Sequence, residues 1–377
     1  MNSVGTEGFA VFDIFRSVRY TGLHYTDKGN NYMKRKWKIL IAAVLLVYVC
    51  GSVAATHIIF AVQFRRVDAQ TASQLPLYAD VAQDYPRREL QFCSGENLLT
   101  GWVYGEPGQA LVVISHGLGA TAESYLPQTM WFVDQGYSVF TYDATGSGVS
   151  EGKTTLGLSQ SVLDLDAALD CVEEDPALSE LPVLLFGHSW GGYAAAEILA
   201  YDHDVTASVS LAGYASPMGM MCETASSLCG PVAYLGAPFV LVHQWVLFGS
   251  AANGSAVTAV NGCDTPVLIV QGLADTTVRP EGAALSAQRE KIRNPNAEIL
   301  LLEGEDHTSL LRPHTQEYAE YAAQIDREYA ALAAAYGGEL PQEVRAEFYA
   351  GVDKSITGGV WQELMQRVEE FYRAALA

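Results

Sequence analysis

Basic residues are scarce in most of this sequence. Residues 67–377 carry 13 Lys/Arg against 40 Asp/Glu, a net charge of −27, whereas residues 1–66 carry nine against three, a net charge of +6. A body this acidic repels nucleic acid and anionic lipid headgroups. The composition therefore predicts that the chain has no nucleic-acid partner.

Cysteine pairs of the kind that bind zinc are also lacking. The chain has six cysteines, and none of them forms a C-x-x-C pair, so the spacing does not indicate a structural zinc site. Cys222 and Cys229 are close enough in sequence to form a disulfide, although free thiols fit the sequence equally well. We expect neither a metal nor a cofactor.

Charged residues are absent from Ile39 to Phe64, a run long enough to cross a bilayer as one helix. Four basic residues at positions 34–38 precede it and two at positions 65–66 follow it. Because basic residues favour the cytoplasmic side, we predict a cytoplasmic tail at residues 1–38, a transmembrane helix at 39–64 and an extracytoplasmic body. A signal peptide cleaved near Val53-Ala54-Ala55 and a buried core helix are the alternatives.

Short apolar runs alternate with helical patterns after a predicted linker at residues 65–88. This alternation predicts an α/β domain over residues 89–377, with a mostly parallel sheet covered by helices on both faces. In such sheets the functional residues collect at the carboxyl ends of the strands. The predicted strands lie at 110–115, 137–142, 183–186, 205–211, 266–271 and 297–302.

Two segments are longer than the connections and the closing helix that such an α/β sheet requires. Residues 213–262 are apolar, with Glu223 as their one charged residue, and they predict a helical cap over the active edge of the sheet. Its Met and aromatic side chains, Trp245 among them, either pack against each other or form an apolar underside that binds a ligand. Residues 313–377 have helical composition and predict a helical extension.

Gly187-His188-Ser189-Trp190-Gly191 lies between a predicted buried strand and a predicted helix. A strand that turns directly into a helix forces its central residue into a strained backbone conformation, and nearby glycines allow the close packing that the turn requires. The context favours a functional serine at the sheet edge over a chance match.

A serine hydroxyl is a weak nucleophile that requires a base, a group that orients the base, and donors for a developing oxyanion. Asp275 follows the strand at 266–271, and His307 follows the last strand, with His314 as the alternative base. The backbone amides of Leu118 and Trp190 are the candidate oxyanion donors. We therefore predict Ser189 as nucleophile, His307 as base and Asp275 as the orienting acid.

This order of motifs resembles the α/β-hydrolase family over residues 88–312 and the last helix. The segment from Tyr142 to Gly152 also looks like that family's loop before the elbow helix, in which Asp143 is structural. The chain is most similar to hydrolases of the monoacylglycerol lipase and lysophospholipase type, in a bacterial membrane-anchored form.

The resemblance implies a serine hydrolase that cleaves carboxylic esters of small molecules through an acyl-serine intermediate, without metal or cofactor. The apolar cap favours lipid-like acyl chains, and the apolar span places the enzyme at the cell membrane. A peptidase or amidase of the same fold, and a catalytically silent binding protein, are the alternatives. The transmembrane span and the helices after His307 depart from the family pattern, and they leave the substrate assignment open.

Overall fold

The structure, a computed structural model, describes residues 27–377, with side chains described from residue 34 onward. Residues 1–26 of the predicted tail lie outside the described residues. Residues 27–38, which the sequence assigned to the tail, instead form the first turns of helix α1 (Asp27–Gln63). The first residues, Asp-Lys-Gly-Asn-Asn, include weak helix formers, so the helix there continues the hydrogen-bonding pattern of the apolar run rather than following local propensity.

The described residues fall into two units that divide between Ala54 and Ala55. In the first unit, α1 is almost wholly exposed and carries large apolar side chains such as Ile41 and Leu46. Over Lys34–Gln63 the helix is apolar enough and, at about 45 Å, long enough to cross a membrane.

The second unit, residues 55–377, contains strands and helices in alternation. The strands are β1 Val67–Asp68, β2 Arg87–Ser94, β3 Asn97–Tyr104, β4 Leu111–Ser115, β5 Ser138–Asp143, β6 Ser147–Gly148, β7 Val183–His188, β8 Val205–Leu211, β9 Val267–Gly272 and β10 Ala297–Leu302. The further α-helices are α2 Tyr78–Val81, α3 Leu126–Asp134, α4 Gln160–Glu174, α5 Trp190–Glu197, α6 Pro217–Cys229, α7 Ala237–Phe248, α8 Ala256–Asn261, α9 Gln316–Ala335, α10 Gln342–Ala350, α11 Lys354–Thr357 and α12 Gln362–Leu376. Short 3-10 helices lie at Ala122–Tyr125, Ile198–Ala200, Gly230–Leu235, Gly249–Asn253, Leu285–Lys291 and Ser309–Leu311.

Eight of the strands described in residues 27–377 form one sheet in the order β10-β9-β8-β7-β4-β5-β3-β2. The antiparallel pairings are those of β3 with β2 and β5, and the other pairings are parallel. The central strands are buried on both faces, which explains their continuous apolar sequences. The predicted α/β arrangement is confirmed.

Two apolar clusters fill the space between this sheet and its helices. Side chains of α4, α5 and α8 pack on one face. Side chains of α3 and of the amphipathic α12 pack on the other face, with Val368, Phe371 and Tyr372 fully or almost fully buried. Because both faces are covered, the carboxyl ends of the strands are the edge at which polar side chains can meet.

The segment predicted as a linker, residues 65–88, is tied into the body. β1 pairs with β6, and the Arg66 guanidinium donates to the carbonyl oxygens of Gly148, Ser150 and Gly152 at 2.7 to 2.9 Å. The domain therefore extends N-terminal to residue 89. The composition of this segment is that of a linker, and composition alone does not show that the Arg66 guanidinium binds three loop carbonyls.

The predicted cap at 213–262 is helical and comprises α6, α7 and α8 with the 3-10 turns between them. All six cysteines, each within the described residues, are free. Cys222 and Cys229 lie seven residues apart on α6, a rise of about 10 Å along the helix axis, which is too far for a disulfide.

Glu197, at the end of α5, is a carboxyl group buried against the cap. The side chain is 7% exposed, lies near the Tyr193, Tyr201 and Tyr214 rings, and has one carboxyl oxygen without a protein partner among the described residues. Burial raises the pKa of Glu197 to about 7, although a backbone hydrogen bond from Ser255 partly opposes the rise.

This pKa predicts a pH-dependent stability. The folded state holds the Glu197 proton more tightly than the unfolded state, so the folded state loses stability as pH rises from about 4.5 to about 7. We expect Glu197→Gln to remove up to roughly 3 kcal/mol of this loss. Urea unfolding in detergent at pH 5 and pH 8 measures the change in the free energy of unfolding. Glu174→Gln is the control, because Glu174 is exposed. Equal pH dependence in wild type and Glu197→Gln would contradict the assignment.

Candidate active site

The turn from β7 into α5 presents the Ser189 hydroxyl at the carboxyl edge of the sheet. Ser189 has φ 57° and ψ −111°, a conformation that residues with a side chain rarely adopt. A Cβ on Gly191 would overlap the carbonyl oxygen of Ser115, and one on Gly187 would overlap that of Gly191. Glycine is therefore required on both sides of the serine, because the start of α5 touches the end of β4.

His307 and Asp275 come from the loops after β10 and β9 and meet Ser189 at this edge. The Nδ1–H of His307 donates to Asp275 Oδ2 at 2.7 Å, and His307 Nε2 lies 2.9 Å from Ser189 Oγ. In this tautomer Nε2 accepts the serine proton. The structure thus brings together the three side chains predicted from their order in the sequence.

Asp275 is held as a carboxylate although it is buried. Burial by itself raises its pKa, but the hydrogen bond from His307 and the backbone amides of Val278 and Thr277 outweigh this effect, so the pKa of Asp275 lies below its ordinary value. Gln271, at the end of β9, also donates to Oδ2 at 3.0 Å. The carboxylate therefore keeps the charge that orients the imidazole and would stabilise it when protonated.

The alternative base, His314, points elsewhere. Its Nε2 donates to the carbonyl of Ser309 at 3.1 Å, and its ring stacks on Trp361 with 3.7 Å between centroids. It also lies 3.4 Å from a carboxyl oxygen of Glu305. These contacts direct His314 toward the helical extension.

Leu118 and Trp190 belong to segments that adjoin Ser189. Trp190 follows Ser189 directly and begins α5, so its backbone amide has no partner within that helix. A Cβ built on Gly117, the residue before Leu118, would lie 3.5 Å from Ser189 Cβ. That the two amides bind an oxyanion stays a prediction.

His188 has a structural role that the sequence analysis did not identify. Its Nε2 lies 2.9 Å from the carbonyl oxygen of His307, which can only accept, so Nε2 carries a proton. Burial, together with the neighbouring His307, lowers the pKa of His188 to about 3, so the ring is neutral. Its Nδ1 must then accept from the Tyr125 hydroxyl at 2.7 Å.

Tyr125 extends this chain of hydrogen bonds to the oxyanion loop. Its hydroxyl oxygen accepts the backbone N–H of Gly117 at 2.9 Å, while its proton goes to His188. One buried network therefore connects the backbones of His307 and Gly117 through the residue before Ser189. His188 could be suspected from its place at a strand end, whereas nothing in the local sequence marks Tyr125.

His116 and Asp143 hold the neighbouring loops. His116 Nδ1–H donates to the carbonyl of Gly117 at 2.8 Å, and its Nε2 accepts from the Ala144 amide at 3.0 Å. Asp143 accepts from the amides of Ala122 and Val149 at 2.8 and 2.9 Å. These contacts agree with the structural part that the resemblance implied for Asp143.

The cap differs from expectation in one respect. Trp245, for which the sequence left open packing within the cap or a place on an apolar underside, is mostly exposed on α7. Met220, Met221 and Val240 instead pack against the apolar cluster that includes Trp190. Helical periodicity could not decide which side of α7 faces the body, because the helix is apolar almost all round.

A separate cavity of about 610 Å³ lies between α6 and the segment 279–291. Its lining is largely polar, with Glu223, Arg279 and Lys291 among its residues, and does not include Ser189. Elsewhere, His203 lies between carboxylates of Asp166 and Glu173, both at 2.8 Å, in a surface group that also contains Asp170. Both ring nitrogens are engaged in these ion pairs, so they are not available to a metal.

Comparison with known proteins gives matches to parts of the chain. The sequence profile of the family described as Serine aminopeptidase, S33 matches residues 106–244, which contain Ser189 but neither Asp275 nor His307. Polyketide transferase grgF of a Penicillium species is 28% identical over 137 residues, 35% of this chain and 46% of that protein. Quorum-quenching protein AidA of Acinetobacter baumannii is 27% identical over 190 residues, 46% of this chain and 62% of that protein.

The chain thus spans about half the length of the curated relatives that it matches. Among solved structures, the esterase Pf2001 of Pyrococcus furiosus superposes with a TM-score of 0.50 at 18% identity. The match covers 64% of this chain and 91% of that one. At this identity the likeness is one of fold.

The hydrogen-bond network predicts that Tyr125 controls the reactivity of Ser189. We expect Tyr125→Phe to slow phosphonylation of Ser189 by a fluorophosphonate about tenfold, because the buried Gly117 amide and His188 Nδ1 each lose a partner. Mass spectrometry of the labelled serine measures the rate, with Ser189→Ala as the unlabelled reference.

Tyr372→Phe is the matched control, since its buried hydroxyl donates to the carbonyl of Leu185 at 2.7 Å, away from Ser189. If both variants are thermally destabilised alike and label at the same rate, Tyr125 serves stability alone.

Proposed function

We propose that this chain, which has the α/β-hydrolase fold, cleaves carboxylic esters through an acyl-serine intermediate on Ser189. The observation that carries the proposal is the alignment of Ser189 Oγ, the His307 ring and Asp275, with separations of 2.9 and 2.7 Å. Nucleophile, base and orienting acid in hydrogen-bond contact are the minimum set for acyl transfer by a serine.

In the acylation step, His307 Nε2 takes the proton of Ser189 as Oγ attacks the ester carbonyl carbon. The carbonyl oxygen becomes an oxyanion that the amides of Leu118 and Trp190 stabilise. The protonated imidazole is stabilised by the Asp275 carboxylate. It then gives its proton to the departing alkoxide, which leaves as an alcohol.

In the second half, water replaces the alcohol. His307 removes a proton from the water, which attacks the acyl-serine, and the same two amides bind the second oxyanion. When the intermediate collapses, Ser189 Oγ recovers the proton from His307 and the carboxylic acid is released. Each proton thus passes through His307 Nε2, and the cycle requires no group outside these residues.

The cap favours an ester with an apolar acyl chain. Its inward side chains Met220, Met221 and Val240 join the apolar cluster around Trp190. Its one charged residue, Glu223, accepts from the Ala283 amide at 2.6 Å and lies 3.4 Å from the Arg279 guanidinium. This carboxylate is therefore engaged and does not offer a site for the free ammonium of a peptide.

A peptidase of the same fold is the second candidate, because the matching family profile is described as a serine aminopeptidase. The triad by itself does not discriminate ester from amide.

We predict that kcat/KM rises by up to a few-fold for each added methylene over short to medium acyl chains, until the pocket is full. p-Nitrophenyl esters from acetyl upward measure this dependence. Trp245→Ala should leave this dependence unchanged, because the Trp245 side chain is exposed on the outer side of the cap. Faster cleavage of an amino-acid p-nitroanilide than of any ester would favour the peptidase, and no cleavage of either would favour a silent binding protein.

We also propose that α1 anchors the enzyme in the cell membrane by a single span, with the body outside the cytoplasm. Lys34, Arg35, Lys36 and Lys38 precede the charge-free run. After it come two basic residues, Arg65 and Arg66, and the Arg66 guanidinium lies 3.6 Å from the Asp68 carboxylate. Basic charge is therefore greater before the span than after it, which favours a cytoplasmic N-terminus.

This topology predicts that a protease added to intact cells digests the body and spares the N-terminal tail. Antibodies against tags at the two ends of the chain distinguish the fragments. Protection of residues 67–377 until the cells are lysed would reverse the orientation, and release of the whole body without proteolysis would indicate a cleaved signal peptide.

A further inference from the structure

On helix α7 a polar side chain is buried and several apolar side chains are exposed, which is the reverse of a helix on the surface of a soluble protein. Its amide residue, Gln244, is fully buried, whereas Val242, Trp245 and Val246 are 62%, 61% and 71% exposed. A surface helix in water normally turns polar residues outward, and a helix that is apolar all round is normally buried. The outward side of α7 is therefore suited to surroundings other than water.

Large apolar side chains are exposed in the rest of the cap as well. Leu228 at the end of α6 and Val232 and Leu235 in the following 3-10 turn are 80%, 68% and 60% exposed. The one charged residue of the cap, Glu223, is bound to the segment 279–283. We define the outer cap face as Leu228, Val232, Leu235, Val242, Trp245 and Val246. It contains no charge.

The outer cap face adjoins the end of α1. Within the second unit, the rings of His57 and Phe60 contact the ring of His243 on α7, at centroid distances of 4.7 and 4.3 Å. Ile58 and Val62, on the same final turns of α1, are 64% and 68% exposed. These turns belong to the charge-free run from Ile39 to Phe64, so lipid that surrounds them also reaches α7.

We propose that the outer cap face is a second membrane-contacting surface, seated in the lipid leaflet at which α1 ends. The occupant is lipid because the face adjoins the final turns of α1, the helix that we propose as the membrane anchor. α6 and α7 have 13 and 12 residues, about 20 and 18 Å, and the cap bends by 100° between them. Each is too short to span about 30 Å of hydrocarbon, so the cap lies within one leaflet.

The body side of α7 is packed into the interior next to the nucleophile segment. A Cβ on Gly157 would lie 2.9 Å from the Phe248 ring of α7 and 3.4 Å from Phe60. The next carbonyl, that of Leu158, accepts from the Tyr214 hydroxyl and from the indole of Trp190, the residue after Ser189, both at 2.9 Å. In the proposal, an ester dissolved in the leaflet is delivered to Ser189 from the side of the cap. This part of the inference rests on the proposed function.

Photocrosslinking of the full-length chain tests the contact itself. Val246 is replaced by p-benzoylphenylalanine, and the protein is reconstituted into vesicles of alkyne-tagged phosphatidylcholine. Tyr336, an exposed aromatic residue of the helical extension, is replaced in the same way as the control. We expect a lipid adduct at position 246 and none above background at position 336. Absence of a lipid adduct at 246, or a crosslink there to a second copy of the chain, would overturn the proposal.

A charge substitution tests its consequence for catalysis. Val242→Glu with Val246→Glu should lower the hydrolysis of a long-chain ester held in the vesicles by about tenfold or more, because two carboxylates oppose seating in lipid. Hydrolysis of soluble p-nitrophenyl acetate should be unchanged, since both side chains are exposed.

Failure of the membrane-contact proposal can be distinguished from failure of the proposed function. If wild type cleaves the soluble ester but the double variant loses no activity on the vesicle-bound ester, the cap surface is not a membrane contact. If wild type cleaves neither ester, the proposed function fails, while the crosslink at position 246 still tests the surface.

Discussion

The strained backbone of Ser189 is the constraint on which the rest of the site depends. A positive φ at a residue with a side chain costs about 1–3 kcal/mol and persists only where its surroundings enforce it. Here the start of α5 rests on the end of β4 at Gly191, and the Ser189 amide donates to the carbonyl of Leu211 in β8 at 2.8 Å. Because β4, β7 and β8 are bonded together in the middle of the sheet, the turn cannot relax alone. The hydroxyl is therefore directed toward His307 before any substrate binds.

Buried polar side chains then place the loops around the serine. His188 and Tyr125 are almost fully buried, and every hydrogen-bonding group along their path is paired. An unpaired group in such a position costs about 1–3 kcal/mol, so one arrangement of donors and acceptors is strongly favoured. The consequence is that the backbones of His307 and Gly117, which belong to the base and to the oxyanion loop, keep their positions relative to the nucleophile.

The body and the cap distribute their polar and apolar side chains differently. The body buries its apolar side chains between sheet and helices and carries a strongly acidic surface charge. The cap buries the amide of Gln244 and exposes Trp245. An acidic body repels anionic headgroups, so attraction of the body to a membrane has to come from apolar contact.

The sequence by itself determined the order of strands and helices, the helical nature of the cap and the elbow at Ser189, because periodicity and glycine spacing act over neighbouring residues. It also named Asp275 and His307, whose positions after strands bring them to one sheet edge. Tertiary structure alone decided that Arg66 ties the supposed linker to the body, that Trp245 faces outward, and that Tyr125 bonds to His188, 63 positions away. These features depend on which distant groups meet when the sheet forms, and local sequence does not encode a partner.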